Sequence, residues 1–359
     1  MLMLKKIFVV SCACLLLSGC GAPQATVEKP PMPPVPGSIS KSFDAGRAFV
    51  PKITVDEKRR ITSADVLAWA FHPTDPQTMY IGTASDGIFR TTDGAEHWEP
   101  MTFPPERVYG LAVDPTNPDR IFATGVYEKV AKVYRTEDAG ANWKEVYVEP
   151  GPGTVISSFA MHPTDPRILY AATDKGVVIK SSDGGEQWKN VYEAAGPVTK
   201  ILVGSKVPEA VSLLVFQKNI VFSGDGGVTW ADPAKGIIAS ATDTAVTPGA
   251  IVSMAADPST PSTLYAGGTG GMYRSLDFGK TWSAVEVIES AKQYPIRAIA
   301  INPSNPSEIV FAAGSVFYRS TDGGERWSVT ELGIKKGVST IVYEPGNSDI
   351  IYFGIRSFK

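Results

Sequence analysis

Ser181-Ser182-Asp183-Gly184-Gly185-Glu186-Gln187-Trp188 is one of six copies of a short phrase in this chain of 359 residues. The others occupy 91–98, 136–143, 223–230, 275–282 and 320–327. Each opens on Ser or Thr, carries an Asp two places later and closes on a Trp: Trp98, Trp143, Trp188, Trp230, Trp282 and Trp327. The aspartates are Asp93, Asp138, Asp183, Asp225, Asp277 and Asp322, spaced 45, 45, 42, 52 and 45 residues apart. A near-fixed period of this size means an array of similar supersecondary units.

The chemistry of the phrase is that of a tight turn between two strands. Asp hydrogen-bonds backbone amides across a turn, and Ser or Thr does the same more weakly. Gly takes the positive φ that other residues resist. The closing Trp can pack its face between neighbouring units with its N–H near a wet edge. Six aspartates are therefore read as turn architecture, since one active site has no use for six copies.

Each unit opens with a second recurring segment, at 66–71, 108–113, 156–161, 198–203, 251–256, 296–301 and 338–343, which makes seven. Large and small residues alternate along it, as in Ala68-Trp69-Ala70-Phe71. Period-two alternation predicts a strand. A Pro-Asx turn follows in most units, such as His72-Pro73-Thr74-Asp75-Pro76, and fixes the chain reversal. A second strand follows, such as 79–82, a third leads into the Asp phrase and a fourth starts at the Trp. Four strands per unit at this period predict an all-β, seven-bladed β-propeller of antiparallel blades, closed by N- and C-terminal strands. The chain ends inside the seventh unit, so a segment near 53–60 is expected to supply its missing outer strand. The propeller is placed at 52–359.

The first 19 residues read as a targeting signal. Lys5 and Lys6 precede an apolar run at 7–17, too short for the roughly 20 residues that span a bilayer. Leu17-Ser18-Gly19-Cys20 has the form of a lipoprotein cleavage site, which makes Cys20 the expected lipidated residue. Cys12 and Cys14 leave with the signal, so no internal disulfide is expected. Residues 20–51, with Pro30-Pro31, Pro33-Pro34 and Pro36, are expected to be an extended linker. The protein is thus expected to be exported and anchored to an envelope membrane by its lipid. Its formal charge of −3 lacks the basic footprint of a nucleic-acid binder.

The phrase Ser/Thr-x-Asp-x-Gly-x-x-Trp resembles the Asp-box, or bacterial neuraminidase repeat. The first copy departs from it, with Gly94 one place early and Ala95 in the Gly position. Among families with this repeat, a compact single propeller behind an export signal looks most like the photosystem II stability/assembly factor family. That resemblance implies a non-catalytic binder that assists assembly of a membrane complex, with a protein partner, no cofactor and a monomeric propeller. The alternative is a glycan-binding or glycan-cleaving propeller of sialidase or xyloglucanase type. A sialidase would need a Phe-Arg-Ile-Pro-like segment, and the nearest text, Tyr294-Pro295-Ile296-Arg297, has the wrong order. A glycosidase needs two carboxylates about 5–10 Å apart, which sequence cannot pair. His72 and His162 occupy turn positions filled elsewhere by Asp114, Asp257 and Asn302, so no metal site is expected.

Antiparallel blades put the Pro-Asx and Asp-phrase turns on one face. The other face receives the segments that vary in length: 126–133, 148–154, 231–249 and 285–294. Variable loops on a rigid scaffold are where binding usually sits. Tyr109, Lys200 and Arg297 occupy the second and third positions of first strands, near the mouth on that face. Arg107, Lys129, Lys132, Lys292 and Tyr294 lie in neighbouring loops. A basic and aromatic rim of this kind suits an acidic protein loop.

Overall fold

A computed structural model describes residues 37–205, 209–231, 251–269, 271–288 and 293–358. The expected signal segment, Cys20, Lys292 and most of 231–249 lie outside the described residues. All described regular elements are strands, gathered in seven antiparallel sheets. The chain is a seven-bladed β-propeller. The inner strands are Val66–Phe71, Arg107–Val113, Ile156–Met161, Val198–Val203, Ile251–Ala256, Ile296–Ile301 and Gly337–Glu344. In blades one to six each inner strand leads outward through its successors in chain order. Three strands of blade four are described, and its fourth begins as a single bridge, Phe222 to Ala231.

Burial along the inner strands is mixed and does not follow the period-two pattern. The second strands, such as Leu169–Thr173 and Ile309–Ala313, are buried along their whole length because they have a blade on each side. Seven apolar clusters fill the seven interfaces between blades. One joins Tyr170 and Val178 of blade three to Ile201 and Leu213 of blade four. Another joins Phe317 of blade six to Ile341 and Phe353 of blade seven.

Ring closure differs from the sequence expectation. Blade seven consists of Gly337–Glu344, Asn347–Arg356, Ile39–Ser42 and Val50–Pro51. Ile39 pairs with Gly354 and Ser42 with Ile351, so the N-terminal strand lies against the C-terminal one. Residues 39–51, expected as linker, are therefore two strands of the domain. The segment near 53–60, expected as the closing strand, makes only an isolated bridge between Thr54 and Arg60.

The turn between those two strands is a seventh copy of the phrase. Ser42 Oγ donates to Asp44 Oδ1 at 2.7 Å and accepts the Gly46 N–H at 2.8 Å, while Asp44 Oδ1 accepts the Ala48 N–H at 3.0 Å. Ser181 and Asp183 make the same bonds to Gly185 and Gln187. Phe49 stands where the other copies have Trp and packs edge-on against Phe317 and Phe353, at 5.0 and 4.9 Å between centroids.

Candidate functional site: the loop face and its central mouth

The seven Asp phrases consume their own carboxylates. At each, the Ser or Thr hydroxyl and the backbone N–H four residues beyond the Asp donate to its carboxylate, as Thr136 and Asn142 do to Asp138. The bond from Thr136 and those from the Asn142 side chain and backbone lower the pKa of Asp138 to about 2. Thr229 does the same to Asp225, also to about 2. At Asp93 and Asp277 partial burial works against the charge and is outweighed by bonds from His97 and Thr281. The Trp that closes the phrase reaches back across the blade interface. Trp98 Nε1 donates to Lys52 O at 2.9 Å, Trp230 Nε1 to Val191 O at 2.9 Å and Trp327 Nε1 to Glu286 O at 2.9 Å.

The Pro-Asx turns on the same face are built by one substitution-tolerant device. His72 Nδ1 accepts the Asp75 N–H at 3.0 Å and His162 Nδ1 accepts the Asp165 N–H at 3.0 Å. Asp114 and Asn302 accept the corresponding amides with a carboxylate and an amide oxygen. Both His rings therefore serve as turn acceptors. Among the described residues no group of three His, Cys, Asp or Glu has the placement of a metal site.

The opposite face carries the hairpins between second and third strands and the links between blades. Here each inner strand has a bulge, with a register shift across its second or third residue in all seven blades. The bulged residues are Leu67, Tyr109, Ser157, Thr199, Val252, Arg297 and Ser339. A bulge re-aims a side chain and ends regular pairing, so one residue per blade is set apart at the mouth of the central channel. Ser157 and Ser339 use this position to bond the next blade, at Val198 O (2.6 Å) and Val66 O (2.8 Å). Tyr109 and Arg297 occupy it with large polar side chains.

Arg297 has company that sequence spacing did not reveal. Its guanidinium lies over the Phe358 ring, 4.1 Å from the centroid, and Arg356 approaches the same ring at 5.8 Å. Arg356 ends the second strand of blade seven, opposite Gly337. Burial first, and then the Arg356 charge, lower the Arg297 pKa. No carboxylate among the described residues pairs with either guanidinium. Ser357 holds this C-terminal turn in place by bonds to Asp65 Oδ1, which also accepts Lys336 Nζ at 2.6 Å.

The other expected residues are spread around this face. Lys200 follows the bulge of blade four; its side chain reaches solvent yet is enclosed by protein, and burial lowers its pKa. Arg107 is exposed at the start of the blade-two inner strand. Residues 126–133, expected as a loop, are a hairpin between Ile121–Tyr127 and Val130–Thr136, turned at Glu128 and Lys129 with positive φ at both. Residues 148–154 are largely strand, in Lys144–Pro152. Lys132 is buried and tied to Glu145 at 2.6 Å, so it is not a free rim cation. Tyr294 is exposed and rests on the Gly314 turn. Tyr109, Lys200 and Arg297 come from blades two, four and six and do not touch one another.

Residues 55–213 match the family model described as photosynthesis system II assembly factor YCF48. A curated xyloglucanase from Paenibacillus sp is 27% identical over 205 residues, which span 42% of this chain and only 20% of that enzyme. The crystal structure of the GH74 xyloglucanase from Xanthomonas campestris superposes with a TM-score of 0.64 at 17% identity, over 82% of this chain and 51% of that one. A structure of YCF48 bound to D1 peptide superposes with a TM-score of 0.60 at 16% identity, over 89% of this chain and 99% of that one. At these identities the superpositions speak to the fold alone. With seven blades and the repeated Asp phrase, the chain is a propeller built on Asp-box (BNR) repeats, similar over residues 55–213 to the photosystem II assembly factor family.

Proposed function

We propose that this protein is a non-catalytic binding propeller, held to an envelope membrane by a lipid on Cys20, whose loop face grips a protein partner and assists the assembly or stability of a membrane complex. The observation that carries the reading is the Arg297–Phe358–Arg356 group. Two guanidiniums with no carboxylate partner among the described residues, one partly desolvated, cost free energy in the empty protein and offset that cost by meeting an anion. Arg presents planar, bidentate donors to a carboxylate, and the Phe358 stack fixes the plane of Arg297 while leaving its edge free. An acidic segment of a protein fits this chemistry. The related propeller bound to a D1 peptide supports a protein rather than a small molecule as the occupant.

The match to a xyloglucanase favours one second reading, a glycan-binding or glycan-cleaving propeller. The first reading is tested by crosslinking the native lipoprotein in its own membranes, capturing it and identifying what comes with it by mass spectrometry. A stoichiometric membrane-protein partner supports the assembly role. Retained glycan fragments with no protein partner would transfer the assignment to the carbohydrate reading.

A further inference from the structure

The chain enters the propeller on the loop face. Ile355 N–H donates to Ser38 O at 3.0 Å and Ser38 N–H to Ile61 O at 3.4 Å, next to the end of Asn347–Arg356. From there Ile39–Ser42 runs to the Asp phrase on the far side. The 16 residues from 21 to 36, counted in the sequence, separate Cys20 from this entry point. A Pro-rich segment extends by about 3.1 Å per residue, or roughly 50 Å in all.

The two faces differ in chemistry as well. Among the described residues, the exposed aromatic side chains, apart from Phe43, are Tyr127, Phe216, Tyr294 and Phe358. The first two lie at the second-to-third hairpins of blades two and four, Tyr294 in the link into blade six, and Phe358 past the second strand of blade seven. All four are thus on the loop face. Lys129 and Lys218 stand exposed in the same hairpins as Tyr127 and Phe216. Tyr and Trp rings with nearby Lys or Arg are the side chains that rest at lipid headgroups. The Asp-phrase face instead presents ionised aspartates already paired with its own exposed Arg167 and Arg326 and, among the described residues, no cluster of exposed aromatic rings.

We infer that the loop face lies against the lipid headgroups of the anchoring membrane, with Tyr127, Phe216 and Tyr294 at the lipid surface, so that the mouth opens toward the bilayer. This rests on the lipid anchor at Cys20 proposed above. It also narrows the partner to a segment that rises little above the same membrane.

The test uses the full-length lipoprotein, its acylation confirmed by mass, in vesicles of phosphatidylcholine with phosphatidylglycerol and no protein partner. With Cys20 acylated and Cys12 and Cys14 removed, an introduced cysteine is the lone thiol. A fluorophore is attached at Phe216→Cys or Tyr294→Cys on the loop face, and at Val228→Cys or Leu276→Cys in Asp phrases on the other, all four positions being exposed. Headgroup nitroxide lipid should quench the loop-face labels and leave the Asp-phrase labels with the emission of a water-exposed dye. Equal quenching on both faces, or quenching of the Asp-phrase labels alone, would overturn the orientation. A protein without the acyl mass would overturn the anchor on which it rests. Neither result bears on partner capture, which is measured separately.

Discussion

Lys41 links the closing blade to blade one. It lies on Ile39–Ser42, buried, and its ammonium donates to Gly94 O of blade one at 3.0 Å. It also stands 3.9 Å from Glu344 Oε1 on the inner strand of its own blade. Glu344 is 3% exposed, and Tyr352 donates its hydroxyl to the same Oε1 at 2.8 Å. Lys41→Met keeps the aliphatic stem and removes the charge. Glu344 is then a buried carboxylate with one phenol donor, and removing one partner of a buried pair costs roughly 3–5 kcal/mol. Gly94 O loses its donor as well, because the single proton of the Tyr352 hydroxyl, 3.4 Å away, goes to Glu344, and this adds to the loss. The expected destabilisation is about 4 kcal/mol. Lys41→Met combined with Glu344→Gln removes the orphaned charge, so it should be less destabilised than the two single changes sum to, by about 2 kcal/mol. Urea unfolding followed by tryptophan fluorescence measures both quantities. A Lys41→Met protein within about 1 kcal/mol of the parent, or strict additivity in the double variant, would refute the reasoning.

Three further outcomes follow from the turns and interfaces. Trp98→Ala, at a fully buried residue that also loses its bond to Lys52 O, should cost about 3–5 kcal/mol; Trp143→Ala should cost less in the same denaturation assay, because its Nε1 has no partner to lose. Gly46→Ala should be far more destabilising than Gly184→Ala: both have positive φ, but a Cβ at Gly46 runs into the Phe317 ring, whereas at Gly184 it meets open space. Asp138 and Asp225 have folded pKa values lowered to about 2 from an ordinary value of 3.8. Their contribution is therefore present above the unfolded value and lost as pH falls from about 4 to about 2. Stability measured across that window should drop, and Asn142→Ala should shift the loss at Asp138 to higher pH.

Much of the fold was legible because the Asp phrase and the inner strand are local devices, each using its own residues. The seventh phrase escaped because Phe49 replaces the closing Trp and the segment lies beside a Pro-rich run. Ser42, Asp44 and Gly46 at the phrase spacing were its remaining signal. Blade four shows the same kind of local exchange. The cation before the phrase that bonds the next blade's turn, Lys41 to Gly94 O or Lys180 to Gly226 O, is replaced there by Phe222. The next turn answers with Phe278 in a Gly position, 6.3 Å away between centroids. The Arg297 group was only half visible, since Arg356 and Phe358 meet Arg297 across the interface between blades six and seven and no short-range pattern links residues of those blades. Lys132 looked like a rim cation because sequence does not reveal that Glu145 faces it across a hairpin.

The account stands most directly on which face holds the partner. Crosslinked capture from native membranes should be compared for the parent, Arg297→Glu with Arg356→Glu on the loop face, and Asp183→Lys on the Asp-phrase face, each checked for folding by its unfolding transition. The account predicts capture lost in the double arginine variant and kept in Asp183→Lys. Capture unchanged when both arginines are reversed, or lost on changing Asp183 alone, would contradict it.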